Sequence, residues 1–157
     1  MIRIGCGYDV HRFAPSRQLW LGGERFDYPI GLLGHSDADV LLHALCDALL
    51  GAVAMGDIGR HFPPNDPRYK DIASLLLLQS TMEILRKDGW RLVNADMTIV
   101  CERPKIAPYA DKIRANIAAA TKVEIDAISL KATTSERLGF TGREEGIGAM
   151  AVVLVAK

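Results

Sequence analysis

The sequence predicts an α+β fold, one domain over residues 1–157 in which helices layer on one face of a single mixed or antiparallel sheet. Three observations carry this. Strand-like segments open the chain, recur in its middle and close it. Three segments with helical apolar spacing lie between them, and no repeat or low-complexity linker divides the chain. A chain of 157 residues buries one proper core but is too short for a two-lobed cleft enzyme, which places a site on an edge or between subunits.

The elements follow in order. Ile2, Ile4 and Cys6 alternate with Arg3 and Gly5, so the chain starts as a strand, and the same period sends Asp9 and His11 to a common face. Gln18–Leu21 and Glu24–Tyr28 form a hairpin around Gly22-Gly23. A loop over Gly31–His35 leads into a helix from Ser36 to Ala52. Ser36 suits its N-cap and Asp39 its third position, while Val40, Leu41, Ala44, Leu45, Ala48 and Leu49 give an apolar body. Asp57-Ile58-Gly59 and the stretch with Pro63, Pro64 and Pro67 read as a long irregular connection. It is a binding-loop candidate, because compact domains usually join elements in about 4–6 residues. Asp71 opens a second helix with Leu75, Leu78, Met82 and Leu85 on one face and a stop at Gly89. Leu92–Glu102 is strand-like, Pro108 starts a third helix that runs to about Thr121, and Ile128–Thr133 and Ile147–Val155 close the chain as strands.

Composition excludes several function classes. Nineteen basic and nineteen acidic residues cancel, which argues against a nucleic-acid partner read through a broad basic face. Any anionic ligand must then be held by local groups or a metal. Cys6, Cys46 and Cys101 lie far apart and in no C-x-x-C pair, so neither a disulfide framework nor a structural zinc knot is indicated, and a reducing cytoplasm is expected. The N-terminus carries no signal or transit pattern and no apolar run approaches bilayer length, so no membrane partner is expected.

Two residue clusters carry chemistry. Asp9 and His11 share a strand face, and His43 lies about thirty residues on in a helix; two histidines and a carboxylate make a three-ligand metal site with room left for substrate. Asp39, His43 and Asp47 fall at i, i+4 and i+8, an ionisable stripe on an otherwise buried-looking helix, where charges must be paired or ligate something. The bland alternative is a pair of hydrogen-bonded histidines with the two aspartates facing water. The second cluster is Lys131-Ala132-Thr133-Thr134-Ser135-Glu136, followed by Gly139 to Gly146. Three consecutive hydroxyls at a strand end, flanked by Lys131 and Arg137, offer donors to phosphate oxygens, and Glu136 can hold a divalent ion bridging them. Taken alone it reads equally well as a polar turn.

Together these blocks resemble one family, the 2-C-methyl-D-erythritol 2,4-cyclodiphosphate synthases of the non-mevalonate isoprenoid pathway. The likeness runs through Gly5 to His11, His35-Ser36-Asp37 with Asp39, His43-Ala44-Leu45, Asp47 to Gly51, Gly56 to Gly59, Pro104-Lys105 and Lys131 to Gly146. The resemblance implies that Asp9, His11 and His43 bind zinc, that His35 and Ser36 place phosphates, and that Asp57 and Gly59 approach substrate hydroxyls. It implies that Ala132, Thr133 and Thr134 handle the nucleotide diphosphate, with Glu136 acting through magnesium or manganese, and that the backbone of Cys101, Pro104, Lys105, Ile106 and Ala107 holds cytosine. Phe140 and Arg143 are further substrate contacts by the same resemblance, and His35, Thr134 and Glu136 are the catalytic set. A homotrimer with sites between adjacent subunits is implied as well. The chain departs from the family at Glu102 and Arg103, where relatives usually carry small or uncharged residues, and at Pro64, where some carry an acid.

The implied substrate is a cytidylyl diphosphate, 4-diphosphocytidyl-2-C-methyl-D-erythritol 2-phosphate, whose 2-phosphate attacks its own β-phosphorus, closes a cyclic diphosphate and expels CMP. An ionised phosphate needs no deprotonation, which explains why no nucleophilic serine or general base stands out; the protein must supply positioning and charge neutralisation. Two other classes remain readable: a metal-dependent phosphoester hydrolase, separated by linear rather than cyclic products, and a non-catalytic trimeric module binding an isoprenoid diphosphate near Tyr8, Phe140 and Arg143. The simpler account of those three is interface core for Tyr8 and Phe140 and a pair between Arg143 and Glu145.

Overall fold

The alternation at the start of the chain becomes a long strand, β1 (Ile2–Ala14), in a computed structural model that describes residues 1–157. The apolar run at the end of the chain forms β7 (Gly146–Ala156), antiparallel to β1 with register from Ile2 opposite Ala156 to Arg12 opposite Gly146. On its other edge β7 pairs antiparallel with β5 (Arg91–Val100), and β5 pairs in parallel with β6 (Ile128–Thr133). The hairpin forms as expected from β2 (Leu19–Leu21) and β3 (Glu24–Phe26), with Gly22 and Gly23 both at positive φ. A two-residue strand, β4 (Gly31–Leu32), adds to the end of β1, giving one mixed sheet in the order β4-β1-β7-β5-β6.

Three long helices, α1 (Val40–Ala52), α3 (Ser74–Lys87) and α4 (Ala110–Thr121), lie on one face of that sheet. Ten of the thirteen residues of α1 are buried, because the helix is sandwiched between β1 and β7 on one side and α3 on the other. Gly5 and Gly7 allow this contact. A Cβ on Gly5 would lie 1.9 Å from the carbonyl oxygen of Ala48, and one on Gly7 1.9 Å from that of Ala44. The same face of β1 continues into Asp9 and His11, so the close approach of helix and strand also carries His43 of α1 to those two side chains. On the opposite face of the sheet Ile2, Ile4, Tyr8, Val10, Met150 and Val152 remain 37–71 % exposed, an apolar surface that the helices do not cover.

Several boundaries differ from the sequence reading. The first long helix starts at Val40, not Ser36: Asp39 is its N-cap and accepts a hydrogen bond from Leu42 N. The second starts at Ser74 rather than Asp71, which sits at φ 56° in the preceding loop. The region after Asp57 is less irregular than expected, with one helical turn, α2 (Ile58–His61), and a 3-10 turn at Pro67–Tyr69. Pro108 likewise lies in a 3-10 turn that feeds α4, and the middle strand ends at Val100, short of Glu102. Another helical turn, α5 (Gly139–Gly142), occupies part of the second chemical cluster.

Candidate active site

Three ligand-type atoms converge where β1 meets α1. His11 Nε2 and Asp9 Oδ2 are 3.0 Å apart, His43 Nδ1 and Asp9 Oδ2 are 3.2 Å apart, and His11 Nε2 and His43 Nδ1 are 3.0 Å apart. Zinc bonds of about 2.0–2.1 Å in tetrahedral geometry place neighbouring ligand atoms about 3.3 Å apart, so this triangle fits the ion closely. The outer nitrogens support the fit. His11 Nδ1 donates to the carbonyl of Leu33 at 2.7 Å, and His43 Nε2 faces the hydroxyls of Ser36 at 3.1 Å and Ser74 at 3.0 Å. An N–H on each outer nitrogen leaves the inner lone pairs aimed at a common point. Burial opposes charge on Asp9, but the two imidazole rings beside it, those of His11 and His43, hold its carboxyl well below the usual range. Burial disfavours a proton on His11, yet Asp9 draws its pKa upward; a cation bound at the triangle would replace that proton.

The triangle forms part of the wall of a cavity of about 260 Å³. His35, Ser36, Asp47, Ile58, Gly59, Phe62, Pro64 and Tyr69 line it beside the three candidate ligands, as does Leu77. His35 Nε2 donates to the Asp66 carbonyl at 3.2 Å, which ties the ring to the proline-rich loop. From that loop Gly59 and Pro64 reach the cavity. Asp57 turns away to cap α2, accepting from Arg60 N at 3.0 Å. The expected stripe of Asp39, His43 and Asp47 does not form. Asp39 is fully buried under the hairpin and accepts from Gly22 N, Gly23 N and Leu42 N, because a helix N-cap points along the axis rather than out from one side. Burial, then Asp37, pushes its carboxyl up to about 6 against those three donors. Asp47 does reach the cavity, and its Oδ1 accepts from Ile58 N at 2.7 Å, fixing the start of α2; its i+4 spacing from His43 was the signal for it. Ser74 had no such signal, lying thirty-one residues from His43 in sequence.

The hydroxyl cluster sits elsewhere. Thr133 ends β6 and His11 lies near the end of β1; the registers Thr133–Val100, Val100–Gly148 and His11–Ile147 put both at the same end of the sheet. Strands β7 and β5 intervene, so three strand spacings of roughly 4.8 Å separate them by about 14 Å. Neither Thr134 nor Glu136 lines the metal-side cavity. Around the second cluster, the Thr134 hydroxyl donates to Glu136 Oε1 at 3.3 Å, and Glu136 and Arg137 hold positive φ of 54° and 62°. Glu102 braces this turn, its Oε1 accepting from Ser135 N at 3.2 Å and Arg137 N at 3.1 Å. Arg103 pairs with Glu144 at 3.1 Å. Lys131 departs from expectation: it is engaged by Asp96 across the β5–β6 pair and does not flank the hydroxyls as a free cation. Cys101 N extends the ladder to Thr133 O, so the segment of Cys101 through Pro104, Lys105, Ile106 and Ala107 starts beside the hydroxyl turn, with a cis bond before Pro104. Arg143 pairs with Glu145 at 3.0 Å, and Phe140 is 39 % exposed beside His11, Arg12 and Glu145.

Known proteins are similar to this chain in sequence and in fold. The 2-C-methyl-D-erythritol 2,4-cyclodiphosphate synthase of Xanthomonas oryzae pv. oryzae is 58 % identical over 155 residues, covering 99 % of this chain and 95 % of that one. That of Syntrophobacter fumaroxidans is 56 % identical over 154 residues, covering 98 % and 97 %. Among solved structures, a 2C-methyl-D-erythritol-2,4-cyclodiphosphate synthase with bound CDP superposes with TM-score 0.90 at 37 % identity, over 98 % of this chain and all of that one. The bifunctional IspDF of Campylobacter jejuni superposes at 0.95 with 39 % identity over 99 % of this chain, which spans only 42 % of that longer protein. Residues 2–156 match the YgbB family, and with relatives this similar over nearly its whole length the chain belongs to that family.

Proposed function

We propose that this chain is a 2-C-methyl-D-erythritol 2,4-cyclodiphosphate synthase, a phosphorus–oxygen lyase. In the proposed reaction the 2-phosphate oxygen of 4-diphosphocytidyl-2-C-methyl-D-erythritol 2-phosphate bonds to the β-phosphorus. The bond from that phosphorus to the bridging oxygen breaks, and CMP leaves with the electron pair. The observation that carries the reading is the Asp9/His11/His43 triangle on a cavity wall beside His35 and Ser36, in a chain 58 % identical to a synthase of this name.

Asp9, His11 and His43 would hold zinc, which supplies Lewis-acid neutralisation of the reacting phosphates. The chain's own groups do the positioning. Ser36 offers a hydroxyl and His35 a ring edge at the cavity for phosphate oxygens, and Gly59 exposes backbone to the polyol where a side chain would crowd it. At the other cluster Thr133, Thr134 and the backbone beside Ala132 bind the diphosphate, Glu136 takes magnesium or manganese, and the segment from Cys101 to Ala107 takes cytosine. Phe140 and Arg143 complete the substrate contacts in this reading. Because the reacting 2-phosphate is already ionised, no side chain has to remove a proton from the nucleophile.

The separation of about 14 Å within one chain supports a homotrimer in which one subunit's metal side faces its neighbour's nucleotide side. The bare apolar sheet face supports the same assembly, since a surface of six large apolar side chains at one location asks to be covered. The reaction is placed in the cytoplasm, where Cys6, Cys46 and Cys101 stay unpaired; no helix is long and apolar enough to cross a membrane. The test is phosphorus NMR of the products from purified protein and the cytidylyl substrate. A cyclic diphosphate and CMP, lost with chelator and restored by zinc, are expected. Linear phosphates would instead indicate a hydrolase and overturn the proposal.

A further inference from the structure

We infer that Ser74, clamped by Asp37, is a positioning residue that fixes the ring tautomer of His43 and so presents its Nδ1 lone pair to the metal. This rests on the reading of Asp9, His11 and His43 as a metal centre. The argument follows the protons. Asp37 grips Ser74 with both oxygens, Oδ2 accepting from Ser74 N at 2.9 Å and Oδ1 from the Ser74 hydroxyl at 2.5 Å. An ionised carboxylate only accepts, so the single hydroxyl proton of Ser74 is committed to Asp37. The Ser74 oxygen, 3.0 Å from His43 Nε2, can then only accept. His43 must therefore keep a proton on Nε2, so that in the neutral ring Nδ1, 3.2 Å from Asp9 Oδ2, is the nitrogen left free for a cation. A neutral imidazole in the other tautomer would point an N–H at the cation.

Burial assigns the type of role. Ser74 is fully buried and does not line the cavity, so it reaches substrate only through His43. Ser36 completes the arrangement: its Oγ accepts from Ala38 N at 3.1 Å and lies 3.1 Å from the same Nε2. With the Nε2 proton directed at both serine oxygens, the proton of Ser36 is left to the Ser74 oxygen at 3.5 Å or to a group in the cavity that Ser36 lines.

Two variants test the inference, read by long-range proton–nitrogen NMR on metal-free, histidine-labelled protein and by zinc competition against a chromophoric chelator. Wild-type His43 is expected as the Nε2–H tautomer. Asp37→Ala touches no atom of His43 but frees the Ser74 hydroxyl to donate to Nε2, so the Nδ1–H tautomer is expected to appear. Ser74→Ala is expected to raise the zinc dissociation constant by about 10–100-fold, with its melting temperature recorded alongside. An unaltered His43 tautomer in Asp37→Ala, or a zinc affinity in Ser74→Ala within about twofold of wild type, would overturn the inference. The tautomer is read without metal, so a wild-type protein that fails to bind zinc would strike the metal-centre reading separately.

Discussion

Gly7→Ala probes the contact that assembles the metal triangle. The new Cβ would lie 1.9 Å from the carbonyl oxygen of Ala44 and 2.7 Å from Ala48 N, both backbone atoms of α1 that cannot swing aside. Ordinary contact begins near 3.4 Å, so β1 and α1 must part by about 1.5 Å at this point. Overpacking of this kind costs about 1–3 kcal/mol, and a rigid backbone neighbour places it near the upper end. For a chain of this length about 3 kcal/mol corresponds to a melting temperature lower by roughly 6–12 °C. The displacement should also reach function, because His43 rides on α1 while Asp9 and His11 ride on β1, and metal ligands tolerate only about 0.2 Å. Zinc affinity is expected to fall by more than the roughly 10–100-fold that loss of a supporting hydrogen bond costs. Calorimetry and zinc competition measure the two effects. Gly51→Ala is the control: a Cβ there meets nothing within 4 Å, and the change is expected to stabilise α1 by about 0.5–1 kcal/mol. Wild-type melting and zinc affinity in Gly7→Ala would refute the claim that these glycines set the ligand geometry.

Three further outcomes are expected. Glu136→Gln should keep zinc, measured by metal analysis, while losing turnover with magnesium supplied; turnover at the wild-type rate would remove Glu136 from the mechanism. Glu102→Ala withdraws the acceptor shared by Ser135 N and Arg137 N and loosens the turn, so KM for the cytidylyl substrate should rise severalfold with zinc affinity unchanged. Burial pushes the Cys46 thiol up to about 12 from an ordinary 9, so the folded chain keeps a proton that the unfolded chain loses. Stability is unaffected by this group below about pH 9 and falls above it by about 1.4 kcal/mol per pH unit, and denaturant titration should find the alkaline slope shallower by that amount in Cys46→Ala.

Most of the fold was legible because its signals are local. The period of two in Ile2–Ala14, the Gly22-Gly23 turn and the leucine spacing of α3 each specify an element without help from distant residues. Helix starts were the weakest point. Ser36 and Asp39 are both good caps, and the choice between them was made by the hairpin, whose Gly22 and Gly23 N–H groups draw the Asp39 carboxylate inward. The metal triad was readable since two of its members share a strand face. Ser74 and Asp37 were not, because a hydroxyl thirty-one residues away meets His43 only through the packing of α3 on α1. Lys131 read as a cation flanking the hydroxyls from its neighbours in sequence, but its partner in space is Asp96 on the adjacent strand.

The central claim is that the site is made of two halves contributed by different copies of the chain. Mixing inactive His43→Ala chains with inactive Glu136→Gln chains tests it most directly. Every mixed three-membered ring contains one interface that joins an intact metal half to an intact nucleotide half, so a random equimolar mixture should recover about one quarter of wild-type activity on co-refolding. A site contained within one chain would leave the mixture as inactive as its parents, and that result, with mixed trimers confirmed by native mass spectrometry, would contradict the account.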